Sequence, residues 1–152
     1  MIVGVISDTH GLLRPDALHA LKNSDVIVHA GDIGAHEILL KLEKVAPVTA
    51  IRGNIDHAPW TRKIPLTNVL DADSRLIYVV HNLAELDLNP EAAGIAAVVY
   101  GHSHVAKQEV KNGVLYFNPG SAGPRRFRLP VTVGRLIVSN GRITGEIVEL
   151  ES

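Results

Sequence analysis

Five short apolar runs in this chain stop abruptly at residues of metal-ligand type. Ile2–Ile6 runs into Ser7-Asp8-Thr9-His10, Val26–Val28 into His29-Ala30-Gly31-Asp32, and Val48–Ile51 into Arg52-Gly53-Asn54. Leu76–Val80 ends at His81, and Ala96–Tyr100 at Gly101-His102-Ser103-His104. Continuous apolar runs of this length read as strands buried on both faces. Open α/β sheets gather their sites just beyond the carboxyl ends of such strands. If these strands share one edge, seven side chains converge on a crevice: Asp8, His10, Asp32, Asn54, His81, His102 and His104.

The segments between the runs set the fold class. Residues 14–22 read as a helix, with Pro15 near the first turn and Leu18 and Leu21 on one side. Residues 35–44 read as a second, with Ile38, Leu39 and Leu42 at helical spacing. Alternating strand and helix argues for parallel pairing. Residues 52–65 read as loop, and Pro90 as the start of a short helix. Leu66–Leu70 and Leu76–Val80 flank a turn at Asp71-Ala72-Asp73-Ser74. Val105–Val110 and Val114–Phe117 flank Asn112-Gly113, and Val131–Val138 and Ile143–Leu150 flank Asn140-Gly141. Asn-Gly between such runs is a strong hairpin signal. The expectation is one α/β domain over residues 1–152, a two-sheet α/β/β/α sandwich with mixed sheets and flanking helices.

Composition narrows the chemistry. The chain has no cysteine, so a disulfide scaffold and a thiolate metal site are both excluded. Histidine nitrogen and carboxylate or amide oxygen must hold any metal, which suits manganese, iron, zinc, nickel or cobalt. With 15 basic and 16 acidic residues, bulk charge gives no support for a nucleic-acid or anionic-membrane surface. No segment approaches the roughly 20 apolar residues of a membrane span. The N-terminus carries neither a basic start nor an apolar stretch of signal-peptide length. The expected location is the cytoplasm.

The spacings fit a ligand set. Asp8 and His10 are two residues apart, as are His102 and His104, and in extended chain such pairs point to one side. Gly31, Gly53 and Gly101 directly precede Asp32, Asn54 and His102, where glycine permits close backbone approach.

Asp8-Thr9-His10, Gly31-Asp32, Gly53-Asn54, His81 and Gly101-His102-Ser103-His104, in that order, resemble the motif set of the calcineurin-like metallophosphoesterases. Chain length and Asn118-Pro119-Gly120-Ser121 resemble the small single-domain bacterial and archaeal phosphodiesterases. The resemblance implies two divalent metal ions, with manganese the first expectation. Asp8, His10 and His104 would hold one ion, Asn54, His81 and His102 the other, and Asp32 would bridge them. Asp32, Asn54 and His102 would also serve catalysis, and a metal-bridging hydroxide would attack the phosphorus of a small phosphoester.

Two positions depart from the family pattern. Ile55 stands where many members carry a histidine that aids the leaving group or the phosphate, and Asn82 where relatives often have glycine. His57 is near enough to substitute for the missing histidine. Esters with acidic leaving groups are therefore favoured, and a phosphodiester over a monoester. Arg52 and Asn118 are candidates for contact with substrate or support of the site, and Asp56 for orienting a ligand. His29 reads as a satisfied core histidine, His19 and His36 as solvated, and Arg125, Arg126 and Arg128 as a solvated basic loop. A non-catalytic protein-interaction scaffold on the same fold, as in the retromer scaffold subunit, is the alternative function. Self-association among small relatives points to a homodimer.

Overall fold

The computed structural model describes residues 1–151. Among the described residues, ten strands form two five-stranded sheets. In the first, β1 (Ile2–Ile6), β2 (Val26–His29) and β3 (Val48–Ala50) run parallel, and β9 (Thr132–Ser139) and β10 (Arg142–Glu149) extend the other side antiparallel, in the order β10-β9-β1-β2-β3. In the second, β5 (Arg75–Val80), β6 (Ile95–Val99) and β8 (Val114–Asn118) run parallel. β4 (Thr67–Ala72) and β7 (Lys107–Lys111) form antiparallel edges, giving β4-β5-β6-β8-β7. The apolar runs thus divide between two mixed sheets, as the expected sandwich requires.

Strand periodicity divides the core into three layers. Val3, Val5, Val28, Ile77, Val79 and Phe117 fill the space between the sheets. The opposite face of the first sheet, with Ile6 and Ile27, packs on Ala17 and Leu21 of α1 (Pro15–Ala20 for the helix proper) and on Ile38, Leu39 and Leu42 of α2 (His36–Glu43). Tyr78, Val80 and Val98 face outward from the second sheet and are covered by Leu83, Leu86 and Leu88. That cover is a short 3-10 turn, Leu83–Glu85, and following coil rather than an α-helix.

The expected helix at Pro90 is a single turn. Ala93 N–H bonds to Asn89 O and Ala92 N–H to Asn89 Oδ1, but Gly94 at φ 75° reverses the chain and Ile95 enters β6. The chain has no room for a second turn. The expected loop at 52–65 contains a 3-10 segment, Pro59–Lys63. Among the hairpins, Asn112-Gly113 (φ 52° and 77°) and Asn140-Gly141 (φ 53° and 75°) are two-residue turns of type I′ sense. Asp73-Ser74 (φ 50° and 68°) makes the same kind of turn, so β4 and β5 extend further than their apolar residues alone indicate. Among the described residues, no helix is long and apolar enough to cross a membrane.

Candidate metal centre

The carboxyl ends of the parallel strands in both sheets meet at one crevice. β1 delivers Asp8 and His10, β2 Asp32, β3 Asn54, β5 His81, and β6 His102 and His104. Backbone bonds splice the loops together. Asp8 N–H donates to Gly31 O, His10 N–H to Asp32 O and Gly11 N–H to Ile33 O, while Gly101 N–H donates to His81 O.

The paired candidates are not in the extended chain that their spacing suggests. Asp8 (φ 56°), His10 (46°), Asp32 (56°), His102 (74°) and His104 (65°) all occupy the left-handed region. Non-glycine residues adopt it at a cost and concentrate there at functional sites. Each pair aims its side chains inward through this tight backbone.

Asp8 Oδ1 lies 3.8 Å from His10 Nε2, 3.4 Å from His104 Nε2 and 3.9 Å from His81 Nε2. Asp32 Oδ2 lies 3.6 Å from His10 Nε2 and 3.3 Å from His81 Nε2. Two groups of ligand atoms are therefore close enough to hold an ion, Asp8–His10–His104 and Asp8–Asp32–His81. Asn54 and His102 sit at the exposed rim, with Asn54 Nδ2 3.4 Å from His102 Nδ1. The His102 ring meets that of His81 edge-on at 5.4 Å.

Among the described residues, the polar atoms in the middle have charged neighbours but no hydrogen-bond partner. Asp8 Oδ1, His10 Nε2 and His81 Nε2 are buried without a hydrogen bond. Buried polar groups are rarely left so, and a site for a bound ion is one standard reason. The donor set of imidazole nitrogen and carboxylate oxygen fits divalent transition metals.

Atoms turned away from the centre are satisfied instead. Asp8 Oδ2 accepts from Ser7 Oγ at 2.7 Å and from His102 N–H at 3.1 Å. Asp32 Oδ1 accepts from Ile55 N–H at 3.1 Å. His81 Nδ1 lies 2.7 Å from Ala30 O and donates to it, so Nε2 is the nitrogen turned to the centre. Burial alone would raise Asp8, but pairing with His10 and His104 and the Ser7 hydrogen bond hold it far below the usual carboxylate range. Burial likewise opposes the Asp32 anion, and pairing with His81 and the Ile55 N–H lower its pKa nonetheless. Asp8 raises the pKa of His10. Burial lowers that of His81, but Asp32 and the Ala30 carbonyl outweigh it.

A ring of buried residues holds the ligand loops. The Asp56 carboxylate accepts from Ile33, Gly34 and Gly53 N–H groups and makes no ion pair with the cluster, so it orients loops rather than offering itself as a ligand. Asn118 Nδ2 donates to Gly101 O and to Ser103 Oγ, both at 3.1 Å, bracing the His102–His104 loop. His29 is fully buried; its Nδ1 accepts from Gly31 N–H and its Nε2–H donates to Thr9 Oγ1, which donates to Ile33 O. Ser121, in the Asn118–Ser121 motif, donates its Oγ–H to Asp8 O, whereas Ser7, whose Oγ–H donates to Asp8 Oδ2, is a support that motif spacing does not mark. The only sequence sign of Ser7 is a hydroxyl continuing a buried run.

Other candidates stand apart. His57 is exposed, and among the described residues no hydrogen bond or ion pair joins its ring to the cluster. Ile55 is 47 % exposed and contributes only its backbone to Asp32. Arg52 lines a cavity beside Asn54 and His81. His19 and His36 are exposed, with His36 stacked on Trp60. The Arg125–Arg128 segment is exposed, and the Arg126 charge reaches His10.

The calcineurin-like phosphoesterase superfamily domain matches residues 1–141, and the chain belongs to that superfamily. A probable metallophosphoesterase of Methanocaldococcus jannaschii is 33 % identical over 134 residues, covering 80 % of this chain and 68 % of the relative. A solved archaeal phosphodiesterase superposes with a TM-score of 0.81 at 23 % identity, covering 97 % of this chain and 100 % of that one. Vps29 of Chaetomium thermophilum superposes at 0.78 and 15 % identity, covering 99 % and 97 %. At these identities the two structures establish a shared fold.

Proposed function

We propose that the protein is a two-metal phosphodiesterase acting on small phosphoesters. The observation that carries this is the convergence of unpartnered Asp8 Oδ1, His10 Nε2 and His81 Nε2 around the Asp32 carboxylate. Asp8, His10 and His104 would hold one ion, and His81, Asn54 and His102 the other. Asp32 Oδ2 lies between His10 and His81, one histidine from each set, and so suits the shared position. Bound divalent ions, manganese first among them, would lower the pKa of a water nucleophile and offset phosphoryl charge.

The chain's own contribution is orientation. Ser7 and the His102 N–H pin one oxygen of Asp8, and the Ile55 N–H pins one oxygen of Asp32, so a single oxygen of each faces the centre. Position 55 offers no side-chain acid to a departing alkoxide. Ester bonds to acidic alcohols such as phenols should therefore break most readily.

The test is metal analysis of purified protein, followed by chelator stripping and assay against an aryl phosphodiester. Stripping should abolish turnover, and manganese or nickel should restore it. Full metal-dependent turnover by Asp32→Ala would overturn the mechanism. A metal-loaded protein that hydrolyses no phosphoester yet binds a protein partner tightly would instead make it a scaffold.

A further inference from the structure

A cavity of about 260 Å³ opens beside the Asn54–His81 side of the centre, lined also by Arg52, Tyr78, Glu85 and Asp87. It is smaller than the roughly 300–1,000 Å³ that drug-sized ligands occupy, so it suits a fragment of a substrate. Its polar groups are of both kinds. Arg52 Nε is buried without a hydrogen-bond partner, while Glu85 and Asp87 are exposed acceptors.

The acidic side of this cavity is a structured feature. Asn82 Oδ1 accepts from Ala84 N–H, and Glu85 N–H bonds to Asn82 O, which fixes the 3-10 turn directly after His81. Leu83 and Leu86 seat that turn on the second sheet. Asn82 is the family departure noted in the sequence; a glycine there has no side chain to cap the turn.

We propose that this cavity binds a small polyhydroxylated alcohol of the phosphodiester, of glycerol size, making it the specificity pocket of the enzyme. The assignment rests on the phosphodiesterase reading above. A hydroxyl both donates and accepts, so neighbouring hydroxyls can serve Glu85 and Asp87 and also accept from Arg52. An ammonium group only donates, so it would bring a like charge beside Arg52 and could accept nothing from it.

Four esters sharing one reporter test this: methyl, glyceryl, 2-aminoethyl and thymidine 5′ 4-nitrophenyl phosphate. In each, water adds its oxygen to phosphorus, the bond to nitrophenolate breaks, and the other alcohol stays on the phosphate. The glyceryl ester should exceed the methyl ester in kcat/KM by about tenfold, mainly through KM. Glu85→Gln with Asp87→Asn, which keep side-chain volume, should collapse that ratio toward one. Asn82→Gly, acting by positioning, should lower it in the same KM-weighted way.

Calorimetry on the metal-loaded protein adds a readout free of turnover: glycerol 3-phosphate should bind more tightly than inorganic phosphate, and the double variant should erase the difference. Preference for the aminoethyl or thymidine ester, or an unchanged glyceryl-to-methyl ratio in the double variant, would overturn the pocket assignment while leaving the phosphodiesterase intact. Failure to hydrolyse any of the four with metal present would remove the phosphodiesterase reading. Equal binding of the two phosphates would separately remove the pocket.

Discussion

The Asp56 carboxylate receives the N–H of Gly53 at 2.8 Å, and through that bond it sets the loop that presents Asn54. The same carboxylate takes the N–H groups of Ile33 and Gly34, just after Asp32. One buried anion therefore fastens two ligand loops from neighbouring strands. Asp56→Ala leaves three backbone donors without it, and should destabilise the metal-free protein by about 3 kcal/mol or more in urea unfolding. Metal affinity should fall about 10- to 100-fold, as it does when supports behind ligands are lost. Unchanged stability and affinity would show that water satisfies those donors equally well.

Gly101 is held to glycine by close approach. A Cβ there would run into Ser7 Oγ and lie 2.7 Å from Asp8 Oδ2. Those atoms also make the hydrogen bond that pins Asp8. Gly101→Ala should cost about 1–3 kcal/mol through overpacking and weaken metal binding through Asp8. Denaturant melts and metal titration of the variant check both; wild-type affinity would mean that Asp8 does not need this anchor.

The sequence makes the ligand-bearing strands legible because their apolar runs and terminal polar residues lie side by side in the chain. The two-sheet sandwich is expected, but which strand joins which sheet was not legible. A strand buried on both faces has no pattern that names its neighbour, and β9 joins β1 across more than 120 residues of chain. The left-handed backbone at Asp8 and His10 was hidden for a related reason. Aspartate and histidine do not require positive φ; the loop-to-loop bonds to Gly31 and Asp32 accompany it. Asp56 is expected to orient a ligand from its place beside the Asn54 motif, whereas nothing in the sequence marks Glu85 and Asp87, which the turn after His81 sets in the cavity beside Asn54.

Metal binding should release protons. In the metal-free protein, Asp8 raises the pKa of His10, and Asp32 helps raise that of His81. Near neutral pH these imidazoles hold protons that a metal must displace, so apparent affinity should rise with pH until they are neutral. Manganese titrations at pH 6.5 in two buffers of different ionisation enthalpy should give a release of about one to two protons. Zero release would mean that the histidines are already neutral, or that they are not ligands.

His29 should make the fold acid-sensitive without touching metal. Complete burial pushes its imidazole down from 6.5 to about 4, and its ring is committed as an acceptor from Gly31 and a donor to Thr9. Below pH 6.5 the unfolded chain binds a proton that the native ring refuses, so the unfolded state holds more protons and stability falls as pH falls. The loss runs from about pH 6.5 to about pH 4 and amounts to about 3 kcal/mol. His10 and His81 do not confuse this window, because groups with raised pKa lose their contribution above the unfolded value, at higher pH. The lowered carboxylates Asp8 and Asp32 act below about pH 4. Urea unfolding of chelator-treated protein from pH 4 to 7.5 should therefore slope by about one proton in that window. His29→Gln, though less stable overall, should lose that slope; if it kept the slope, the proton would belong to another group.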